Sequence, residues 1–101
     1  MITRIVRLTL LPERVEDFLT RFHATYPAIR SFQGCSHLRL FRDATLSNVY
    51  ITYSHWESET HLDNYRNSDL FKTTWSEVKP MFAAAPVAWS MQEIVGNYDP
   101  R

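Results

Sequence analysis

The sequence predicts a single α+β domain: a four-stranded antiparallel sheet with two helical segments on one face, in the order β-α-β-β-α-β. Three observations predict it. Residues 2–11 carry side chains in the two-residue period of a strand. Val15, Phe18, Leu19, Phe22, Tyr26 and Ile29 recur at the spacing of one helix face. Clusters of turn formers, SFQGC at 31–35 and RDATLSN at 42–48, separate the apolar runs that follow.

In the first strand, Ile2, Arg4, Val6, Leu8 and Leu10 share one face, and Thr3, Ile5, Arg7 and Thr9 share the other. Both faces are partly apolar, so both are expected to be covered. Pro12 suits a first helical turn, and Glu13, Glu16 and Asp17 suit its positive end. The helix spans about residues 13–30, with Pro27 expected to bend or end it near Tyr26. Gly34 is the expected positive-φ residue of the turn. Strands follow at about 35–42 and 48–56. Ser58 is placed to cap a helix reaching Arg66. The stretch NSD at 67–69 interrupts it, and Ser68 caps a second piece in which Leu70, Phe71, Thr74, Trp75 and Val78 share a face. Lys79-Pro80 stops that piece, and a last strand is predicted over residues 86–95. The domain is thus assigned to residues 1–95, with 96–101 as a tail.

This order is the ferredoxin-like split βαβ arrangement. Two helices cover one face of such a sheet. Ile5, Phe41 and Ile51 lie on the other, and no further element is left to cover them. The expected solution is a homodimer whose sheets meet face to face, a dimeric α/β barrel.

The 101 residues suffice for one domain, and 45% hydrophobic residues can build its core. Eleven basic residues balance eleven acidic ones, with no Lys/Arg cluster, which argues against nucleic acid or an anionic membrane as partner. No apolar run approaches the roughly 18 residues of a membrane span. Arg4 and Arg7 inside the first apolar stretch make it a poor signal peptide, and the lone Cys35 fits a reducing compartment. A cytoplasmic location is expected.

Four histidines raise the question of a metal. His55 and His61 are six residues apart, not the i, i+4 spacing that places two imidazoles on one helix face, and His55 points to the strand face opposite Trp56. With His23 and His37 scattered elsewhere and no Cys-x-x-Cys, no metal is predicted. Cys35 lies in no nucleophile signature, and two glycines make no phosphate-cradling loop. The aromatic residues are the better signal. Val6, Leu8, Leu38, Leu40, Tyr50, Thr52, Ser54 and Trp56 face the helices, which contribute Phe18, Phe22, Tyr26, Phe71 and Trp75. Such a set makes either a plain core or the walls of a cleft for a flat aromatic ligand, and composition does not choose between them.

Several stretches carry a resemblance. Trp56-Glu57-Ser58-Glu59 with Tyr65 to Phe71, the Phe32 to Cys35 turn, Leu40 to Asp43, and Arg7 to Phe22 together resemble the antibiotic biosynthesis monooxygenase family, over about residues 2–95. The resemblance implies the same fold and homodimer. It also implies oxygenation of quinols, anthrones or related aromatics by O2, without flavin or metal cofactor. The protein would then supply a dry pocket, orientation and oxyanion stabilisation. Heme-degrading members of the family use a first-strand Asn, the Trp, and a second-helix His. Here those places hold Val6, Trp56 and Trp75, so heme degradation is not expected. Where some antibiotic-tailoring members carry an amide four residues before the Trp, this chain has Thr52. The expected site has Trp56 and His23 as catalytic residues, His23 as base with Tyr26 as its substitute. Tyr26, Thr52, Phe71 and Trp75 bind the substrate. The Trp56 ring, at a strand end, is expected to lean over the pocket mouth. The alternative is a dimeric module that binds a small metabolite without turning it over, and a base in the cleft discriminates the two.

Overall fold

The computed structural model describes residues 1–96, so the predicted tail beyond Gly96 lies outside the described residues. Strands β1 (Ile2–Thr9), β2 (Cys35–Arg42), β3 (Val49–Trp56) and β4 (Val87–Met91) form one antiparallel sheet in the order β2-β3-β1-β4. Helices α1 (Val15–Arg30), α2 (Glu59–Arg66) and α3 (Asp69–Val78) pack on one face. The split βαβ fold predicted from the patterns is the fold observed.

Local chemistry accounts for most boundaries. Pro12 opens a 3-10 turn, Pro12–Arg14, that leads into α1. The Ser58 and Ser68 hydroxyls accept from the His61 and Phe71 amides, at 3.2 and 3.1 Å, and so start α2 and α3 where expected. Two boundaries differ from expectation. Helix α1 does not end at Tyr26 but runs through Pro27 to Arg30. Pro27 removes an N–H that would have bonded the His23 carbonyl, and both residues are exposed, so water can satisfy the carbonyl. The last strand stops at Met91 rather than 95, because Met91 already pairs with Thr3 at the start of its only neighbour, β1.

Strand alternation sorts the sheet into two faces. In register across the outer face lie Arg39, Tyr53, Ile5 and Trp89, with Phe41, Ile51 and Val87 beside them. Phe41, Val87, Trp89 and Met91 are between 41% and 45% exposed, an apolar surface with no covering element among the described residues. The inner face carries the core, which is divided in two. Ile2, Ile29, Cys35, Leu38, Trp56 and Leu62 make one cluster, and Leu8, Leu10, Phe18, Tyr50, Val78 and Met81 the other.

Gly34 has φ 92°, the left-handed conformation expected of it. Its carbonyl accepts from the Glu57 amide at 2.9 Å, which ties the turn to the β3–α2 junction. A Cβ there would also lie 2.5 Å from Cβ of His61. Gly34→Ala is therefore expected to cost about 2–3 kcal/mol from backbone strain and overlap. Thermal denaturation should show a fall in Tm of roughly 10 °C or more.

Candidate functional site

Between the two core clusters the layers do not meet, and a cavity of about 330 Å3 separates them. That volume lies at the small end of ordinary ligand sites, about 300–1,000 Å3. Its floor is the inner face of the sheet: Arg4, Val6 and Leu8 of β1, Leu38 of β2, Thr52, Ser54 and Trp56 of β3, and Ala88 of β4.

Aromatic rings wall it on two sides. From the sheet end across α2 and α3, Trp56 stacks on Tyr65 with centroids 4.9 Å apart at 21°, Tyr65 meets Phe71 edge-on at 5.2 Å, and Phe71 meets Trp75 at 5.6 Å. On the α1 side, Phe18 and Phe22 stack at 6.0 Å, one helical turn apart. All six rings line the cavity. Each of these rings touches another, which restrains it from turning into the gap.

The sequence placed Trp56, Thr52, Phe71 and Trp75 at one site, and the structure brings these four together. It does not bring in the other two. His23 is exposed on α1 and is absent from the cavity wall. Tyr26 is half-buried outside the wall, its hydroxyl donating to the Leu38 carbonyl at 3.1 Å. The expectation for the Trp56 ring also needs correction. It is 1% exposed, enclosed by Tyr65 and by Phe32 at 6.4 Å, and its Nε1–H donates to Ser54 Oγ at 3.0 Å. Trp56 is a buried part of the cavity floor, not a flap at its mouth.

Tyr65 and three arginines are functional candidates that the sequence reading left out. Burial, and secondarily the nearby Cys35 thiol, push the Tyr65 phenol well above its ordinary pKa, so it acts as a neutral hydroxyl rather than a base. Arg4 reaches the cavity from β1, with Nη1 donating to Ser90 Oγ at 3.1 Å. Arg21 and Arg66 reach it from α1 and α2. Among the described residues, no imidazole, amine, thiol or carboxylate side chain lines the space.

The histidines lie apart. His37 and His55 stack at 4.8 Å on the outer sheet face, His55 Nε2 within 3.1 Å of the Tyr53 hydroxyl. His61 Nδ1 is 2.7 Å from Ser58 Oγ. Among the described residues no three His, Cys, Asp or Glu side chains are grouped as metal ligands would be, and no helix is long and apolar enough to cross a membrane.

The chain is a split βαβ domain of the α+β class with an aromatic cavity between its layers. The family model for antibiotic biosynthesis monooxygenase matches residues 1–75, and the chain belongs to that family. A candidate antibiotic biosynthesis monooxygenase from Caulobacter crescentus CB15 has a crystal structure similar to it. The identity is 23%, 93% of this chain and 90% of that one are covered, and the TM-score is 0.87. A second crystal structure of an antibiotic biosynthesis monooxygenase superposes with TM-score 0.87 at 16% identity, over 94% of this chain and all of that one. A conserved protein from Methanosarcina mazei Go1 gives 0.86 at 17% identity, covering 92% and 93%. These likenesses carry the fold. No curated protein matches the sequence.

Proposed function

We propose that this protein is a cofactor-independent monooxygenase that uses O2 to oxidise a small aromatic, quinol-like or polyketide-like molecule. The observation that carries the reading is the cavity itself, walled by six rings and floored by an apolar sheet in a chain of this family. In the reaction the bound substrate loses a proton to become an electron-rich anion and passes one electron to O2. The substrate radical and superoxide recombine, forming a carbon–oxygen bond. Where a CH2 group is oxidised, the hydroperoxide loses water to leave a carbonyl. One oxygen atom stays in the product and the other leaves as H2O, so O2 takes up the four electrons the carbon gives. The protein's share is to hold the ring, exclude water and stabilise the oxyanion.

With His23 outside the wall and Tyr26 bonded to the backbone, the cavity offers no side-chain base among the described residues. This observation favours a second reading, a module that binds a small metabolite without oxidising it. Oxygen-electrode measurements with anthrones, quinols and dihydroxynaphthoates separate the two. Protein-dependent uptake of one O2 per substrate supports the oxygenase, whereas ligand binding without uptake across the panel leaves the binding module.

The working unit in this reading is residues 1–95 as a cytoplasmic homodimer, joined through the outer face of Ile5, Phe41, Ile51 and Trp89. Light scattering coupled to gel filtration should give about twice the 11.9 kDa chain mass. Trp89→Glu, which sets a charge on that face, should shift the mass to one chain. A wild-type monomer at micromolar concentration would remove the dimer from the proposal.

A further inference from the structure

The charges around the cavity are one-sided. Arg4, Arg21 and Arg66 line it and, among the described residues, no acidic side chain does, although the chain as a whole is neutral. Arg21 is already engaged, its Nε 2.7 Å from Glu77 Oε2. Arg66 has only a long contact with Asp63, Nη1 to Oδ1 at 4.0 Å, on side chains about half exposed. Arg4 makes no ion pair among the described residues and bonds only the Ser90 hydroxyl. Its position is built into the sheet: Arg4 pairs in register with Ser54 on one side and Ser90 on the other, beside the floor where Trp56 bonds Ser54. Burial and the like charge of Arg66 both lower the pKa of Arg4, and Asp63 offsets them only in part. Two guanidinium groups therefore line the same apolar space, Arg4 from its floor and Arg66 from α2, each with donors to spare.

We propose that Arg4 and Arg66 form an anion-recognition pair that selects planar aromatic acids for the cavity, seating the ring among Trp56, Tyr65, Phe71 and Trp75 and the anionic oxygen between the guanidinium groups. The inference rests on the cavity being the substrate site, and it narrows the substrate class from aromatic molecules to those carrying a carboxylate or an ionised ring hydroxyl. It also answers the missing base. A phenol or enol bound against two positive charges ionises more readily, so its proton can pass to solvent beside the half-exposed Arg66 without a side-chain acceptor.

Titration calorimetry with 2-naphthoate and its neutral isostere 2-naphthamide tests the selection. Charge-assisted hydrogen bonds in a partly dry site imply that the naphthoate binds about tenfold tighter or more. Arg66→Gln, on an exposed side chain that the fold does not need, should remove about tenfold of that affinity and change naphthamide binding less than twofold. Arg4→Gln should do the same, with part of the loss restored by Arg4→Lys. The anion of 4-nitrophenol is coloured, so it reports ionised hydroxyls. Its bound form should ionise at lower pH than the free phenol, and less so in Arg66→Gln. If the shift occurs without naphthoate selectivity, the anion is a ring oxygen; selectivity without the shift assigns a carboxylate. Equal affinity for naphthoate and naphthamide together with an unshifted nitrophenol would overturn the pair, as would Arg66→Gln weakening charged and neutral ligands alike. Selective binding with no oxygen uptake leaves the pair standing and removes the oxygenase reading. Uptake on neutral quinols that neither arginine substitution affects does the reverse.

Discussion

Trp56→Ala is expected to destabilise the domain by about 4 kcal/mol, within the roughly 3–5 kcal/mol seen for large aromatic truncations in cores. The ring is 1% exposed, stacked on Tyr65 and edge-on to Phe32, and it bonds Ser54. Removing it opens a void continuous with the existing cavity, so neighbouring rings have no dense surface to collapse against. The loss should appear as a fall in the denaturant midpoint. Trp56→Phe keeps a six-membered ring but loses the pyrrole ring and its N–H bond to Ser54, and about 1–2 kcal/mol is expected for it. A cost for the alanine variant below about 1 kcal/mol would mean that the ring is not the core element described here.

Val6→Trp is expected to abolish ligand binding while leaving the fold intact. Val6 projects from β1 into the cavity between Thr52 and Ala88, its partners in register on the two neighbouring strands. An indole there enters space that is already empty, so little packing has to move. Affinity for any aromatic ligand should fall more than about 100-fold, equivalent to roughly 2.7 kcal/mol, and oxygen uptake should fall with it. Calorimetry beside thermal denaturation checks both parts. Undiminished affinity in a folded Val6→Trp protein would place the ligand elsewhere.

The fold was legible because its determinants are local. Alternation in β1 and β3, the helical stripe of α1, and the Ser58 and Ser68 caps each lie within a few consecutive residues. The lining of the candidate cavity was legible only where facing direction decided the matter, as for Thr52, Phe71 and Trp75. His23 was placed by its nearness to Phe22, yet one residue along a helix turns the side chain by about 100°, away from the stripe that meets the sheet. The enclosure of Trp56 depends on Phe32 and Tyr65, which arrive from a turn and a helix that strand periodicity does not reach. Arg4 was the readable signal that went unused. A charged residue on the inward face of a strand, between Ile2 and Val6, needs either a partner or an opening. Which of the two it has depends on how far the helices stand from the sheet.

The three tryptophans occupy three unlike surroundings. Trp56 is sealed, with its N–H bonded, Trp75 stands in the cavity wall, and Trp89 is 41% exposed on the outer sheet face. Their emission is accordingly expected to be spread in wavelength, with Trp56 at the blue end and Trp89 at the red. If the proposed ligand and dimer hold, an aromatic guest is expected to dim Trp56 and Trp75, which line the cavity, more than Trp89, and a second copy docking on the sheet is expected to shift Trp89 toward the blue. Filling of the cavity and pairing of the chains can therefore be followed separately, in one sample, without attaching any dye.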